Sequence, residues 1–308
     1  MTRVLVTGAS GFIGRAACAA FGKRGWQVRA GVRGDSPIEG AELARGSLEQ
    51  GWAVDGVDVV VHLAGIAHQI RAQNAEAVYQ AMNCQATERL ARAAMQAGVR
   101  RFVFMSSIKV NGERTPIDRP FRAGDAPQPE DRYARSKRDA EHALAILGGR
   151  MEVVVVRPPL VYGSGVRANF LRLVRLVDRR LPLPLGAIRN RRSLIYAGNL
   201  ADLIVAAASS PAAAGRTLLA ADGEDLSTPQ LITEIGRALG KPARLLDIPV
   251  GLLRLGGTLA GMGAEVGRLV DSLVVDASET RERLNWRPPF SVMEGLAETV
   301  RWYRSSPR

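Results

Sequence analysis

The hydrophobic positions along this chain follow two patterns that alternate. Short valine-rich apolar runs are separated by longer stretches in which apolar residues recur at helical spacing. The runs predict buried strands, and the stretches between them predict helices that cross from one strand to the next. Strands are expected at 4–6, 27–32, 42–45, 57–62, 101–105 and 152–156, and helices at 14–25, 75–98 and 133–149. This order predicts an α/β fold with a doubly wound parallel sheet.

A glycine-rich turn follows the first predicted strand directly. Gly8, Gly11 and Gly14 stand at every third position. Glycines allow a tight turn and let backbone amides approach a pyrophosphate at the amino terminus of the next helix. The spacing differs from G-x-G-x-x-G, but its place after the first strand predicts a Rossmann-type dinucleotide site. Arg33 ends the second strand, where an arginine accommodates a 2′-phosphate, so NADP is favoured and NAD is the alternative.

The character of the sequence changes after residue 165. Prolines, short helical patterns and arginines dominate, and the segment 227–270 is predicted to be mostly helical with a glycine-rich interruption at 256–263. A strand near 217–220 is expected to return to the sheet. We therefore predict a dinucleotide-binding domain over 1–165 and a smaller, mostly helical substrate-binding lobe over 166–308.

Tyr133, Lys137 and Ser107 form the candidate catalytic group. Tyr133 and Lys137 are four residues apart in a predicted helix, so both can point into one cleft. A free tyrosine titrates near pH ~10, and a neighbouring ammonium favours its phenolate. Lys137 is therefore expected to lower the pKa of Tyr133 for general acid–base work. Ser107 follows the apolar run 101–105 and is expected to hold a substrate oxygen against the phenol.

Composition narrows the class of protein. The net charge is +12, but the arginines are scattered along helix faces and aromatic residues are only 5%, so nucleic-acid binding is not expected. A phosphate-bearing substrate or weak attraction to an anionic membrane surface explains the charge better. No apolar run reaches the roughly 18 residues of a spanning helix, and the amino terminus lacks a signal-peptide pattern, which predicts a cytoplasmic protein.

Cysteine and histidine spacing gives no sign of a metal site. The two cysteines, Cys18 and Cys84, lie in helical patterns and predict no disulfide. The three histidines, His62, His68 and His142, lack metal-ligand spacing, so no metal is expected.

Several of these motifs together resemble the extended short-chain dehydrogenase/reductases, also called the NAD-dependent epimerase/dehydratase family. The resemblance covers nearly the whole chain and rests on the glycine turn 7–14, Ser107, the Tyr133-x-x-x-Lys137 pair, His62-Leu-Ala-Gly65 and Arg157-Pro-Pro-Leu-Val-Tyr-Gly163. It implies that Ser107 and Tyr133 contact C4 of a nucleotide sugar and that Lys137 binds the nicotinamide ribose. The cofactor contacts that it implies are Gly8, Ser10, Gly11, Phe12, Ile13, Gly14, Arg33, Leu63, Ala64, Gly65, Asn83, Tyr133, Lys137 and Pro158. The substrate contacts that it implies are Ser107, Lys109, Asn169, Arg192 and Arg268.

The resemblance also implies a UDP-sugar substrate and a homodimer. Family members commonly dimerise through the helices represented here by 84–98 and 133–147, where Ala91, Ala93, Ala94 and Ala143 are small enough for close helix approach. The stretches Ser106-Ser-Ile-Lys-Val-Asn-Gly112 and 168–187 look like a subgroup of bacterial surface polysaccharide synthesis. That subgroup includes reductases of UDP-4-keto-6-deoxy-N-acetylhexosamines and 4-epimerases.

Three functions remain open. Dehydratases of the family follow the catalytic serine or threonine with Asp-Glu, whereas Ile108 and Lys109 follow Ser107 here, so dehydration is not expected. The favoured hypothesis is an NADPH-dependent reductase of a UDP-4-keto-6-deoxy-N-acetylhexosamine, since Arg33 favours an exchangeable cofactor. The alternative is a UDP-hexose 4-epimerase acting on UDP-glucose or UDP-N-acetylglucosamine. A non-catalytic dinucleotide-binding protein is the third, but it would usually have lost the tyrosine or lysine.

Overall fold

A parallel sheet forms the centre of the molecule. The computed structural model describes residues 1–35, 37–67, 74–147 and 149–306, and within these ranges seven parallel strands pair in the order β3-β2-β1-β4-β5-β6-β9. The strands are β1 (Arg3–Thr7), β2 (Gln27–Val32), β3 (Ala41–Arg45), β4 (Val59–His62), β5 (Arg101–Met105), β6 (Glu152–Arg157) and β9 (Thr217–Leu219). A separate two-stranded parallel sheet pairs β7 (Leu160–Tyr162) with β8 (Leu194–Tyr196). The predicted doubly wound fold is confirmed.

Helices cover both faces of the sheet and build the carboxyl-terminal part. They are α1 (Phe12–Lys23), α2 (Ala75–Tyr79), α3 (Ala86–Gln96), α4 (Arg132–Leu147), α5 (Ala168–Asp178), α6 (Ala197–Ser209), α7 (Thr228–Ala238), α8 (Val250–Leu259), α9 (Gly263–Val270), α10 (Ser278–Leu284) and α11 (Val292–Ser305). The predicted helix 75–98 is interrupted by a π-helical segment, Gln80–Gln85, between α2 and α3. The predicted end of the α4 helix at 148–149 falls partly on residue 148, which lies outside the described residues.

The core has one layer on each side of the sheet. Successive residues of β1 serve opposite layers, with Val4 and Val6 packing among residues of α1 and α6 and Leu5 among residues of α3 and α4. This is the alternation that a strand imposes when helices cover both its faces. Burial on both faces explains why the strand sequences are continuous apolar runs.

The chain returns to the sheet after residue 165. Helix α6 packs on α1 in the first core layer, and β9 pairs with β6 at the sheet edge, close to the predicted strand at 217–220. The remaining elements, chiefly β7, β8, α5, α7 and α11, surround a third apolar cluster. Residues 197–219 therefore belong with the sheet. The boundary at residue 165 and the separate substrate-binding lobe stay predictions.

The glycine-rich interruption predicted at 256–263 is shorter than expected. Helix α8 runs through Gly256 and Gly257 and ends at Leu259. A side chain at Gly257 would collide with Val266 of α9, so this glycine allows the two helices to pack closely. No helix of the described residues is long and apolar enough to cross a membrane.

Candidate active site

The glycine turn sits where β1 ends and α1 begins. Gly8 has φ +69°, and a Cβ there would lie 2.9 Å from the backbone nitrogen of Ala64. A Cβ on Gly14 would overlap the Gly8 carbonyl oxygen, and Gly11 donates its N–H to that same oxygen at 2.9 Å. The backbone thus leaves little room for a side chain at any of the three glycines. The turn leaves the amino terminus of α1 open to an anion.

A cavity of about 440 Å³ lies beside this helix terminus. Ser10, Gly11 and Phe12 line one side, and Arg15 and Arg167 bring two guanidinium groups to it. Open backbone amides at a helix start, together with basic side chains, suit a pyrophosphate. The residues of this turn therefore fit the dinucleotide that the sequence predicts.

Ser107 and Tyr133 meet at the carboxyl edge of the sheet. Ser107 follows β5 and begins the short 3₁₀ turn Ile108–Val110, whereas Tyr133 lies in the first turn of α4. Ser107 lies close enough to the Tyr133 hydroxyl to lower the pKa of this phenol. The structure thus brings together the two hydroxyl groups predicted to face one cleft.

The pKa of Tyr133 moves opposite to the sequence expectation. Burial of its hydroxyl raises the pKa to about 12; the Ser107 side chain offsets this in part, while the charge of Asp131 adds to it. Lys137 is not among the groups that shift this pKa, and its ammonium donates to the Met105 carbonyl oxygen at 2.9 Å. The expectation that Lys137 lowers the pKa of Tyr133 is therefore wrong.

Lys137 is itself held in a dry environment. Its Nζ lies 4.6 Å from the centre of the Phe104 ring, and burial lowers the pKa of the ammonium to about 8. A Cβ placed on Gly65 would lie 3.3 Å from this Nζ and 3.1 Å from Oδ1 of Asn83. The space above Gly65, where the nicotinamide ribose was expected, is therefore bordered by Lys137 and Asn83.

The π-helical segment carries Asn83 and anchors the loop after β4. The Asn83 side chain accepts from the Ile66 N–H at 2.8 Å and donates to the Ile66 carbonyl at 3.0 Å and to Ser136 Oγ at 3.1 Å. These bonds tie the loop that contains Gly65 to α4, one residue from Lys137.

His62 is a neutral structural residue. Its Nδ1 and Nε2 hydrogen-bond the hydroxyl groups of Thr7 at 2.7 Å and Thr87 at 3.0 Å, and burial lowers its pKa to about 3. Thr7 also accepts from the Ala64 N–H at 3.3 Å, so this network joins the glycine turn to the β4 loop. No cluster of metal-ligating side chains occurs in the described part of the chain, and His68 lies outside it.

A buried ion pair lies next to the loop that carries Ser107. Arg157 of β6 donates twice to Glu141 of α4, and its Nη1 donates to Asn111 Oδ1 at 2.9 Å. Ser106 donates its hydroxyl to Glu141. The pair links α4, β6 and the Ser107 loop, and the sequence reasoning missed it, because nothing in the local spacing of Glu141 separates a buried carboxylate from a surface one.

Lys109 is occupied by two carboxylates. Its Nζ donates to Glu113 and to Asp131, both at 2.7 Å, and Asp131 also accepts from the Ala134 N–H at the start of α4. These partners raise the pKa of Lys109 and hold the pKa of Asp131 below its usual range, although burial acts against both shifts. The sequence identified Lys109 but not its two acidic partners. Asp131 could have been identified from the sequence, because it lies two residues before Tyr133, where an aspartate commonly caps the start of a helix.

The predicted substrate arginines, Arg192 and Arg268, lie within electrostatic range of each other. Arg192 Nη1 donates to the Asp271 carbonyl at 3.0 Å, and burial lowers the pKa of this guanidinium. The charge of Arg268 on α9 lowers that pKa further, while Glu113 raises it, so both groups lie near Arg192. Asn169 lies apart from this contact, exposed in the first turn of α5.

Arg33 is exposed at the end of β2. The nearest carboxylate along the chain, Asp35, is paired with Arg45 at the end of β3 at 2.6 Å. At the predicted 2′-phosphate position, Arg33 therefore lies exposed at the end of β2, and the nearby carboxylate of Asp35 is paired with Arg45. Of the other predicted cofactor contacts, Ile13 lies in the first turn of α1, Leu63 follows β4, and Pro158 accepts from the Ile108 N–H through its carbonyl.

Comparisons with known proteins give the same family as the motifs. The family described as "NAD dependent epimerase/dehydratase family" matches residues 4–220. A Vibrio cholerae protein named UDP-glucose 4-epimerase is 40% identical over 96% of this chain and 94% of its own length.

Solved structures share the whole fold. The structure of MoeE5 in complex with UDP-glucuronic acid and NAD is 25% identical, with a TM-score of 0.80 over 99% of this chain and 100% of that one. A UDP-N-acetylglucosamine 4-epimerase from Bacillus cereus is 20% identical, with a TM-score of 0.79 over 100% and 98% of the two chains. The site and these likenesses together establish that the chain belongs to the NAD-dependent epimerase/dehydratase family, the extended short-chain dehydrogenase/reductases.

Proposed function

We propose that this protein binds NAD(P) and a UDP-sugar and interconverts the C4 hydroxyl and ketone of the sugar, with 4-epimerisation as the net reaction. The observation that carries the proposal is the contact between Ser107 and Tyr133 at the carboxyl edge of the sheet, beside Lys137 and the glycine turn. The relative that is 40% identical over nearly the full chain is named a UDP-glucose 4-epimerase, which favours this outcome over one-way reduction.

The residues divide the chemistry between them. The dinucleotide, when bound, supplies the hydride acceptor and donor. Tyr133 takes the proton of the 4-hydroxyl when the sugar is oxidised and returns it when the ketone is reduced. Ser107 holds the same oxygen by a hydrogen bond, and Lys137, directed at the space above Gly65, donates to the ribose hydroxyls.

The surroundings of Ser107 argue against elimination of water. A dehydratase needs an acid and a base beside the sugar to remove a proton at C5 and protonate the leaving hydroxyl. Ile108 cannot do either, and Lys109 is held by Glu113 and Asp131. The cleft therefore offers one proton-transfer group at C4, which suits oxidation and reduction at that carbon.

The other end of the substrate would lie at Arg192. Arg192 and Arg268 place two guanidinium groups close together, and their charges suit a diphosphate. Glu113 lies near both Arg192 and Lys109, so the cluster extends from the Ser107 loop to the proposed diphosphate position.

Reduction of a UDP-4-keto-6-deoxy-N-acetylhexosamine is the second candidate, and two observations favour it. Exposed Arg33 suits the 2′-phosphate of NADPH, and a cofactor that leaves after each turnover suits a reductase. The pKa of about 12 also keeps Tyr133 protonated at neutral pH, the form that donates a proton to a ketone. We infer that NADP binds better than NAD if this candidate is correct.

One experiment separates the candidates. The purified protein is incubated with UDP-glucose or UDP-N-acetylglucosamine and catalytic NAD⁺, and separately with a UDP-4-keto-6-deoxy sugar and NADPH. Formation of the 4-epimer without net cofactor reduction supports the epimerase. Stoichiometric NADPH oxidation with no epimer formed would transfer the assignment to the reductase.

One variant tests the epimerase and the reductase candidates together. Tyr133→Phe keeps the ring but removes the proton-transferring hydroxyl, and turnover should fall by about 10²–10⁴-fold. Tyr303→Phe is the matched control, since its hydroxyl bonds Asp178 at 3.0 Å on α5 and lies outside the proposed site. Near-normal turnover in Tyr133→Phe would overturn both mechanisms, because each transfers the proton through Tyr133. No turnover of either substrate by the wild-type protein would instead favour a non-catalytic dinucleotide-binding protein.

A further inference from the structure

Helix α8 presents an apolar side to solvent. Leu252, Leu255 and Leu259 are 60%, 57% and 81% exposed. Their spacing of three and four residues places them on one side of the helix. Of the thirteen large apolar side chains that are exposed among the described residues, six lie between 181 and 262. Such concentration marks a contact surface rather than scattered surface leucines.

Three further exposed apolar residues extend this apolar side at both ends of α8. Leu246 precedes the helix and Met262 follows it, and both are exposed. Exposed Leu181 belongs to a segment that pairs with the one holding Leu246, through the bonds Leu183 N–H to Arg244 oxygen at 2.8 Å and Leu246 N–H to Leu183 oxygen at 2.9 Å. We call the six residues the α8 face; they are Leu181, Leu246, Leu252, Leu255, Leu259 and Met262.

One end of the α8 face, at Leu181, belongs to an arginine-rich stretch of the chain. Residues 166–192 contain eight arginines and a single acidic residue, whereas the whole chain has a net charge of +12. Arg179, Arg180 and Arg244 are exposed on the same two paired segments as Leu181 and Leu246. Leu181 and Leu246 are thus bordered by cationic side chains.

We propose that the α8 face docks on the surface of a phospholipid bilayer that contains anionic lipids. Leucines that enter the acyl boundary, with arginines at headgroup level, are the composition of an interfacial helix. The ten residues of α8 span about 15 Å, too short to cross a bilayer but long enough to lie along it. Charge complementarity selects an anionic membrane over a neutral apolar partner.

Docking would orient the substrate cleft. Helix α9 packs against α8 and carries Arg268, which lies near Arg192. The proposed diphosphate end of the cleft would therefore lie close to the membrane. This placement gives the excess positive charge a use that the catalytic residues do not require.

The test is co-sedimentation of the full-length protein with vesicles. One set contains phosphatidylcholine alone, and the other contains phosphatidylcholine with phosphatidylglycerol. The wild-type protein should bind the anionic vesicles and be released by high salt, because salt screens the attraction of the arginines. Arg179→Gln and Arg180→Gln should each weaken binding about fivefold.

Apolar insertion is tested by Leu255→Glu and Leu259→Glu. Each should lower binding by roughly tenfold or more, because an apolar group that entered the acyl boundary is replaced by an anion. Ile117→Glu is the matched control, an exposed apolar residue outside the α8 face, and should bind as the wild type does.

Three results would overturn the proposal. These are failure of the wild-type protein to bind anionic vesicles, equal loss of binding in Ile117→Glu, and conversion of a dimer to a monomer by Leu255→Glu. The last would show that the α8 face joins two copies of the chain. Epimerase or reductase activity on soluble UDP-sugars is measured separately, so failure of docking leaves the proposed reaction intact.

Discussion

Replacing Glu141 by glutamine tests how the buried ion pair supports the site. Glu141 and Arg157 are 9% and 6% exposed, and the carboxylate accepts from Ser106 and twice from Arg157. Glutamine keeps the shape but removes the charge, and its amide group turns one acceptor into a donor. Breaking a buried pair on one side leaves an uncompensated charge and costs about 3–5 kcal/mol. We expect a loss of that size in the free energy of unfolding.

The measurement is urea unfolding followed by circular dichroism at neutral pH. Glu88→Gln is the matched control, because Glu88 pairs with Arg92 on the surface of α3 and its loss should cost about 0.3–0.5 kcal/mol. The double variant Glu141→Gln/Arg157→Met should regain part of the loss, since it leaves no buried charge. A single variant as stable as Glu88→Gln, or a double variant less stable than Glu141→Gln, would refute this account of the pair.

Four further predictions concern the cofactor preference, the oligomeric state, the stability of the protein at acid pH and the role of Lys137. Arg33→Asp should shift preference from NADPH towards NADH by about tenfold to a hundredfold, measured by equilibrium binding; unchanged NADPH affinity would make Arg33 a surface residue only. The protein should sediment as a dimer at micromolar concentration, and Ala143→Glu on the proposed α4 contact should give monomers. His62 has a folded pKa of about 3, below its unfolded value near 6.5, so its contribution to stability is present above pH ~6.5 and is lost by about 1.4 kcal/mol per unit as pH falls towards 3. The difference in urea midpoint between wild type and His62→Gln should show this slope, and a flat difference would contradict it. Lys137→Met should abolish turnover yet leave the protonation of Tyr133 in the ligand-free protein unchanged, as read from phenolate absorbance against pH.

The features that sequence predicted well are those set by local physics. Gly8, Gly11 and Gly14 were identified by their place after a strand, and each has a steric reason in the structure. The contact between Ser107 and Tyr133 followed from strand and helix positions, because parallel strands bring their carboxyl ends to one edge.

The features that it missed depend on distant partners. The direction of the pKa shift of Tyr133 is set mainly by burial, which comes from distant parts of the chain and is not visible in the spacing of Tyr133 and Lys137. Two of the small residues assigned to a helix contact between subunits, Ala91 and Ala94, are buried within the chain itself. They pack against the sheet, so only the half-buried Ala93 and Ala143 remain available for that contact.

The segment that contains Asn190 and Arg192 is bonded to residues made late in synthesis. The glycine turn and the proposed substrate cleft are therefore completed in a fixed order. Asn190 donates to the carbonyls of Leu269 and Asp271, Arg192 donates to Asp271, and Phe121 N–H donates to Val274. The backbone atoms that crowd the three glycines of the turn, in contrast, all lie before residue 66. A chain still emerging from the ribosome therefore has every residue of its glycine turn long before the wall of the proposed substrate cleft can close. A truncation after residue 220 and before residue 269 removes partners of that wall while keeping the turn and the seven strands of the sheet.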